Sequence, residues 1–218
     1  MKAPSLPFYP ILTASGRSVL QQHLESFSAL SGQPIRQNGT EPYGMIYVEE
    51  GTLSVLLLSE DGREVSIRQL RKGDYSFLSA SRLITGLSFD VTMEAESDSK
   101  ICALSNASLE LLLKNNPAFT LFVRNSISEN FSDTVIFLQN ILFRTIEQRL
   151  AVFLCTEVSA QGTASLSLTH EQIARHIGSA REVVSRTLKH FSLQGIVSVS
   201  RGCVTVLNKE ALKRILRS

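Results

Sequence analysis

The chain has 218 residues, of which 43% are hydrophobic and 19% charged; Trp is absent and the formal net charge is +2. This length suits one large domain or two ordinary ones, and the apolar fraction excludes wholesale disorder. The longest apolar runs, such as Val135 to Leu138 and Leu150 to Cys155, fall far short of the roughly 20 residues of a membrane helix. Pro4, Pro7 and Pro10 interrupt the start of the chain. No signal peptide is therefore read, and the expectation is a cytoplasmic protein with no membrane partner.

Cys102, Cys155 and Cys203 are too sparse, and odd in number, for a disulfide framework. No two of them have zinc-knuckle or CxxC spacing. The charge is unevenly spread. Residues 144–218 hold eleven Lys+Arg against five Asp+Glu, net +6, and residues 1–143 hold eleven against fifteen, net −4. An acidic part followed by a basic part implies two jobs, with nucleic acid a candidate partner for the second.

From Gly44 to Ser105 the chain reads as short strands and turns. Met45 to Val48 is β-rich and ends at Glu49-Glu50-Gly51; Leu53, Val55 and Leu57 alternate. Asp61-Gly62 supplies a hairpin turn, Val65 and Ile67 alternate after it, and Lys72-Gly73-Asp74 is the next turn. Leu87 to Ala95 and Ile101 to Leu104 continue the pattern. Such spacing predicts an antiparallel barrel or jelly roll, with an open sandwich as the alternative.

The texture changes near Ser108. Leu109, Leu112 and Leu113 have helical spacing, and Pro117 punctuates. No Gly or Pro occurs from Ala118 to Arg144. Ile127, Phe131, Thr134, Leu138 and Ile141 recur at spacings of 4, 3, 4 and 3, a heptad stripe with one polar Thr. Phe122, Val123, Val135, Ile136, Phe137, Leu142 and Phe143 add apolar residues on other sides. A helix of this kind packs on its own domain with one face and on a partner with another, so the pattern favours a dimerisation helix over a purely internal one. A second helix is expected from Ile146 to about Val158, then a polar loop from Ser159 to Ser165.

Thr169-His170-Glu171-Gln172 fits a capping box, and Ile173, Ala174 and Ile177 share a helical face. Gly178 breaks the helix. Ser179-Ala180-Arg181-Glu182 is a second capping-box pattern. Val184, Leu188 and Phe191 then form an apolar face, while Glu182, Ser185, Arg186 and Lys189 lie on the other side with Arg181 at its edge. Two short helices about a Gly turn describe a helix-turn-helix. Arg pairs bidentately with guanine O6 and N7, and Glu accepts from cytosine N4. Lys189 has the chemistry to neutralise a phosphate. Beyond Gly195, Ile196 to Val199 and Cys203 to Leu207 read as a hairpin whose tip, Arg201-Gly202, reaches a phosphate if the hairpin is a wing; the alternative is a hairpin that only covers the helices.

At these residues the sequence resembles a known family. The stretch LTHEQIARHIGSAREVVSRTL, Leu168 to Leu188, is similar to the winged-helix signature of the CRP/FNR family of bacterial transcription regulators. Tyr47-Val48-Glu49-Glu50-Gly51, Asp61-Gly62-Arg63-Glu64 and Lys72-Gly73-Asp74 resemble its sensor barrel, and the stripe ending at Ile141 sits where the family has its dimer helix. The resemblance implies an α+β fold: a cyclic-nucleotide-binding-like antiparallel jelly-roll barrel over 1–117, a dimerisation helix over 118–144 and a winged helix-turn-helix over 145–218. It implies a homodimer on double-stranded DNA, binding an inverted repeat whose half-site centres lie about 34 Å apart. Arg181, Glu182, Ser185 and Arg186 would read bases. Thr169 and His170 would touch phosphates, joined by Lys189 and Arg201. RNA polymerase is a further expected partner, through the loop at Ser159 to Ser165.

The effector stays unidentified. Cyclic-nucleotide-binding members carry a Gly-Glu and a later Arg-Ser pair; counted from Gly73-Asp74, those positions fall on Leu78 and Ser88, with Arg82 out of register. A buried phosphate without its arginine is poorly compensated, so cAMP is not expected, although Thr134 fits an adenine-contacting position. Cys102 resembles one ligand of the iron–sulfur members, but no Cys precedes it, and one chain cannot supply four thiolates. Three of the four histidines, His170, His176 and His190, lie in the DNA-binding part and only His23 precedes them, which speaks against haem or a barrel metal site. No cofactor is therefore expected, and Cys102 is read as a packing thiol, with a redox sensor as the second reading. Two other functions compete: a jelly-roll enzyme, for which no catalytic motif is found, and a ligand-binding module whose C-terminal part no longer touches DNA.

Overall fold

The computed structural model describes residues 6–35, 43–59, 62, 64–77 and 90–217. It divides into two compact units, with the main boundary inside a long helix, between Thr134 and Val135.

The first unit opens with a feature the sequence pattern did not announce. A short 3-10 turn, Tyr9–Ile11, leads into helix α1, Ala14–His23, capped by the Thr13 side chain. Strands β1 (Glu25–Ala29), β2 (Tyr43–Glu50), β3 (Thr52–Leu58), β4 (Glu64–Arg71), β5 (Tyr75–Phe77), β6 (Asp90–Ala95) and β7 (Ser99–Ser105) follow. Among the described residues they form two sheets, ordered β1-β7-β2-β5 and β4-β3-β6. The pairings of β1 with β7, β2 with β7 and β5, and β3 with β6 are antiparallel.

Strand alternation builds two cores from the opposite faces of the same strands. On β2, Ile46 and Val48 point between the sheets, where they meet Ile101 and Ala103 of β7, Leu53 and Val55 of β3, Leu70 of β4 and Met93 of β6. Met45 and Tyr47 point the other way. With Phe77, Cys102 and Leu104 they pack against Phe8, Leu20, Leu109, Leu112, Phe119 and Val123. Both faces of β2 are thus covered, which is why six consecutive residues from Tyr43 are buried. At the β2–β3 turn Gly51 has φ +88°, and any Cβ there would run into Ser99 and the Asp98 carbonyl, so the turn admits only Gly.

Helix α2, Asn106–Asn115, is capped by Ser105. The long helix α3, Pro117–Phe143, begins on the proline itself, where a missing N–H costs nothing. Asn116 ties the junction of α2 and α3 to the start of α1. It is 1% exposed; its Oδ1 accepts from the Thr13 N–H (2.8 Å) and hydroxyl (2.6 Å), and its Nδ2 donates to the Leu112 carbonyl (2.8 Å).

In the second unit, helix α4 spans Ile146–Gln161, longer than expected, and starts with a full capping box between Thr145 and Gln148. Helices α5 (His170–Ile177) and α6 (Arg181–Leu193) follow. Strands β8 (Ser165–Leu166), β9 (Val197–Ser200) and β10 (Cys203–Val206) make a sheet ordered β8-β10-β9. Helix α7, Lys209–Ile215, closes the unit; neither β8 nor α7 was expected. Leu150, Leu154, Leu166, Ile173, Val184, Leu188, Phe191 and Val204 are among the buried residues of its core. The architecture is the expected α+β one: an antiparallel jelly-roll unit, a long helix and a winged helix-turn-helix.

Candidate nucleic-acid interface

The helix-turn-helix is organised by its first helix. Thr169 accepts from the Gln172 N–H (3.2 Å), and the Gln172 side chain accepts from the Thr169 N–H (2.8 Å). The helix ends at Gly178 with φ +61°, and the N–H groups of both Gly178 and Ser179 donate to the Ala174 carbonyl. A left-handed residue at this point is the usual way to stop a helix, and glycine adopts it without strain.

The second capping box is a correction. The N-cap of α6 is Ala180, not Ser179, and no side chain caps it. Ser179 is held in the Gly178 turn by its bond to Ala174, so the helix starts one residue later and Glu182 takes the second helical position instead of the third.

From that start, α6 separates two faces. Val184, Leu188 and Phe191 are fully buried, whereas Arg181, Glu182, Ser185, Arg186 and Lys189 are all exposed. The structure thus brings the four expected base-reading residues and Lys189 onto one open face, within the first turns. Thr169 is exposed and His170 half-buried at the start of α5. Arg201 is exposed in the turn between β9 and β10, where Gly202 has φ +71°. The hairpin register pairs Cys203 with Ser200 and Val206 with Val197.

On the long helix the heptad residues take different surroundings. Phe131 and Leu138 are exposed, at 69% and 49%, together with Val135 and Leu142. These four form an apolar stripe at 4-3-4 spacing. Thr134 is exposed and its hydroxyl donates to the Asn130 carbonyl (3.0 Å). Ile127 is half-buried against the cluster containing Phe119 and Val123, and Ile141 is half-buried as well.

Leu78, Arg82 and Ser88, as well as Asp61 and Arg63, lie outside the described residues. Among the described residues no group of three or more His, Cys, Asp or Glu side chains is placed to hold a metal, and no helix is long and apolar enough to cross a membrane. Cys102 is buried on the helix-facing side of β7; burial, with the Glu49 charge second, pushes its thiol up to about 11. One residue that sequence reasoning passed over is Arg149. Its guanidinium donates to the carbonyls of Ile177 (2.8 Å) and Gly178 (3.2 Å). The only trace of it in the sequence is a cation amid the apolar residues from Ile146 to Cys155.

Residues 27–116 match the cyclic nucleotide-binding domain, and residues 148–215 match the Crp-like helix-turn-helix domain. A solved transcriptional regulator of the crp/fnr family from Eubacterium rectale is 31% identical, covers 97% of this chain and 98% of its own, and superposes with a TM-score of 0.87. The chain belongs to the CRP/FNR family. Similarity within the family extends to the global nitrogen regulator of a Nostoc species, 27% identical over 77% of this chain and 78% of the relative. It also extends to the cAMP-activated global transcriptional regulator CRP of Pasteurella multocida, 23% identical over 77% of this chain and 83% of the relative. This CRP/FNR protein is a transcription regulator with a helix-turn-helix DNA-binding domain.

Proposed function

We propose that this CRP/FNR protein acts as a homodimer on an inverted-repeat operator, under control of an unidentified signal received by the barrel. The observation that carries the reading is the exposed face of α6: two arginines, a glutamate and a serine open to solvent over a fully buried apolar ridge. Arg181, Glu182, Ser185 and Arg186 read base edges in the major groove. Thr169, His170, Lys189 and Arg201 take phosphates and set the register. The apolar stripe of α3 supplies the second subunit, since an exposed heptad face is covered most simply by its own copy. The signal changes how the two long helices pack and thereby the spacing of the two recognition helices. The Ser159–Ser165 loop is the surface offered to RNA polymerase. The role is regulatory and not catalytic, in the cytoplasm, without resident cAMP, iron–sulfur cluster or haem; the small-molecule effector has yet to be named.

Selection of bound duplexes from a random pool tests this reading. Inverted repeats with a common half-site should emerge, and Arg186→Ala should relax the choice of one base pair per half-site by about 1–3 kcal/mol. Recovery of unrelated sequences, or an equal loss on operator and random DNA, would overturn it.

A further inference from the structure

The recognition helix lacks the device that anchors its neighbours. Helices α4 and α5 each begin with a reciprocal capping box, whereas α6 begins at Ala180 with no side-chain cap. Its buried ridge fixes the body of α6, and its uncapped first turn is positioned by what precedes it, the turn Gly178-Ser179-Ala180.

That turn is held from α4. The end of α5 leaves carbonyls without intrahelical donors, and Arg149 donates to two of them, on Ile177 and Gly178, through one nitrogen. A cation at a helix C-terminus also sits at the negative end of the dipole. The guanidinium is partly desolvated there, which lowers its pKa while leaving it charged at neutral pH. On the same turn, Ile141 lies so near the Gly178 Cα that a Cβ there would fall 2.6 Å from the Ile141 Cδ1. The end of the long helix and the start of α4 thus meet at one point, just ahead of the recognition helix.

We propose that Arg149 is a positioning residue for DNA recognition: by pinning the Ile177 and Gly178 carbonyls, it fixes the angle at which Arg181, Glu182, Ser185 and Arg186 enter the groove. The inference rests on the proposed DNA reading. It deepens that reading by placing part of the specificity in a residue that need not touch DNA. Arg149 acts at the turn, so its loss frees the angle of α6 while leaving the phosphate-contacting cations in place.

The test uses the full-length protein, with Arg149→Gln and Arg149→Lys beside wild type. Binding is measured on the selected operator and on random duplex over a salt series. In Arg149→Gln the ratio of operator to random affinity should fall about tenfold or more. Affinity for random DNA and its salt slope should stay within about twofold of wild type, because no phosphate contact is removed. Arg149→Lys keeps one donor group near the carbonyls and should recover part of the ratio. Amide hydrogen exchange supplies the second readout: Gly178 and Ser179 should exchange at least tenfold faster in Arg149→Gln, with the Val184 and Leu188 amides unchanged. An unchanged ratio with unchanged exchange overturns the proposal, as does an equal loss on both DNAs. A wild type that shows no operator preference defeats the DNA reading itself, and the exchange data then report the clamp separately.

Discussion

Cys102 shows how far a single position on a strand decides chemistry. Its neighbours Ile101 and Ala103 point between the two sheets, while Cys102 points into the cluster covered by the N-terminal and long helices. There burial first, and the Glu49 carboxylate second, push the thiol from 9.0 to about 11. Two pKa units leave about a hundredfold less thiolate at pH 8, and the thiolate is the reactive form. In a Cys155→Ser, Cys203→Ser background, maleimide labelling of the folded protein at pH 8 should be at least a hundredfold slower than labelling in urea; equal rates would contradict the burial argument and revive the redox reading. The sign of the pH effect follows. The folded pKa lies above the unfolded one, so the stabilising contribution is complete below about pH 9 and is lost as pH rises through about 11. Replacing Cys102 by Ala should flatten this alkaline loss of the urea midpoint.

At the scale of elements, the long helix makes the sharpest claim. Phe131, Val135, Leu138 and Leu142 present apolar surface to solvent in a single chain, a large liability unless covered. Leu138→Glu should therefore convert the protein to a monomer in sedimentation experiments while the far-UV circular dichroism stays unchanged; a persistent dimer would move the interface elsewhere. The same helix shows what was legible in the sequence. A 4-3-4-3 pattern announces a helix with a seam, but it does not say which side of the seam the protein's own barrel takes. Ile127 went to the barrel cluster, and Val135 and Leu142, which looked peripheral, share the exposed face. The helix-turn-helix was legible because Thr169, Gln172 and Gly178 act locally, through caps and a left-handed φ. The start of α6 was misread because Ser179, which has the residue type of a cap, is instead taken into the closure of the preceding helix by its bond to Ala174. Helix α1 was missed because its mean hydropathy is low and its anchor, Asn116, lies 103 residues from Thr13.

For the molecule as a whole, the charge distribution becomes a statement about binding. A net +2 hides +6 over residues 144–218 and −4 before them, so the two ends of the chain should respond to DNA in opposite senses. Each phosphate neutralised contributes about −0.9 to the slope of log affinity against log salt. If Thr169, His170, Lys189 and Arg201 supply the phosphate contacts, the cationic ones set the salt response. Lys189→Ala should then weaken operator and random DNA alike and make the slope shallower by about 0.9 per subunit. Arg186→Ala should instead act mainly on the operator. Symmetry adds a geometric condition. In the proposed homodimer, two recognition helices tied to one pair of long helices would reach half-sites about 34 Å apart, one turn of DNA. Inserting about five base pairs between half-sites turns the second to the opposite side of the duplex and should lower affinity nearly to that of a single half-site, whereas inserting a full turn keeps both on one side but requires the dimer to span twice the distance. Tight binding to the half-turn insert would show that the two DNA-binding units move independently of the helix that joins them.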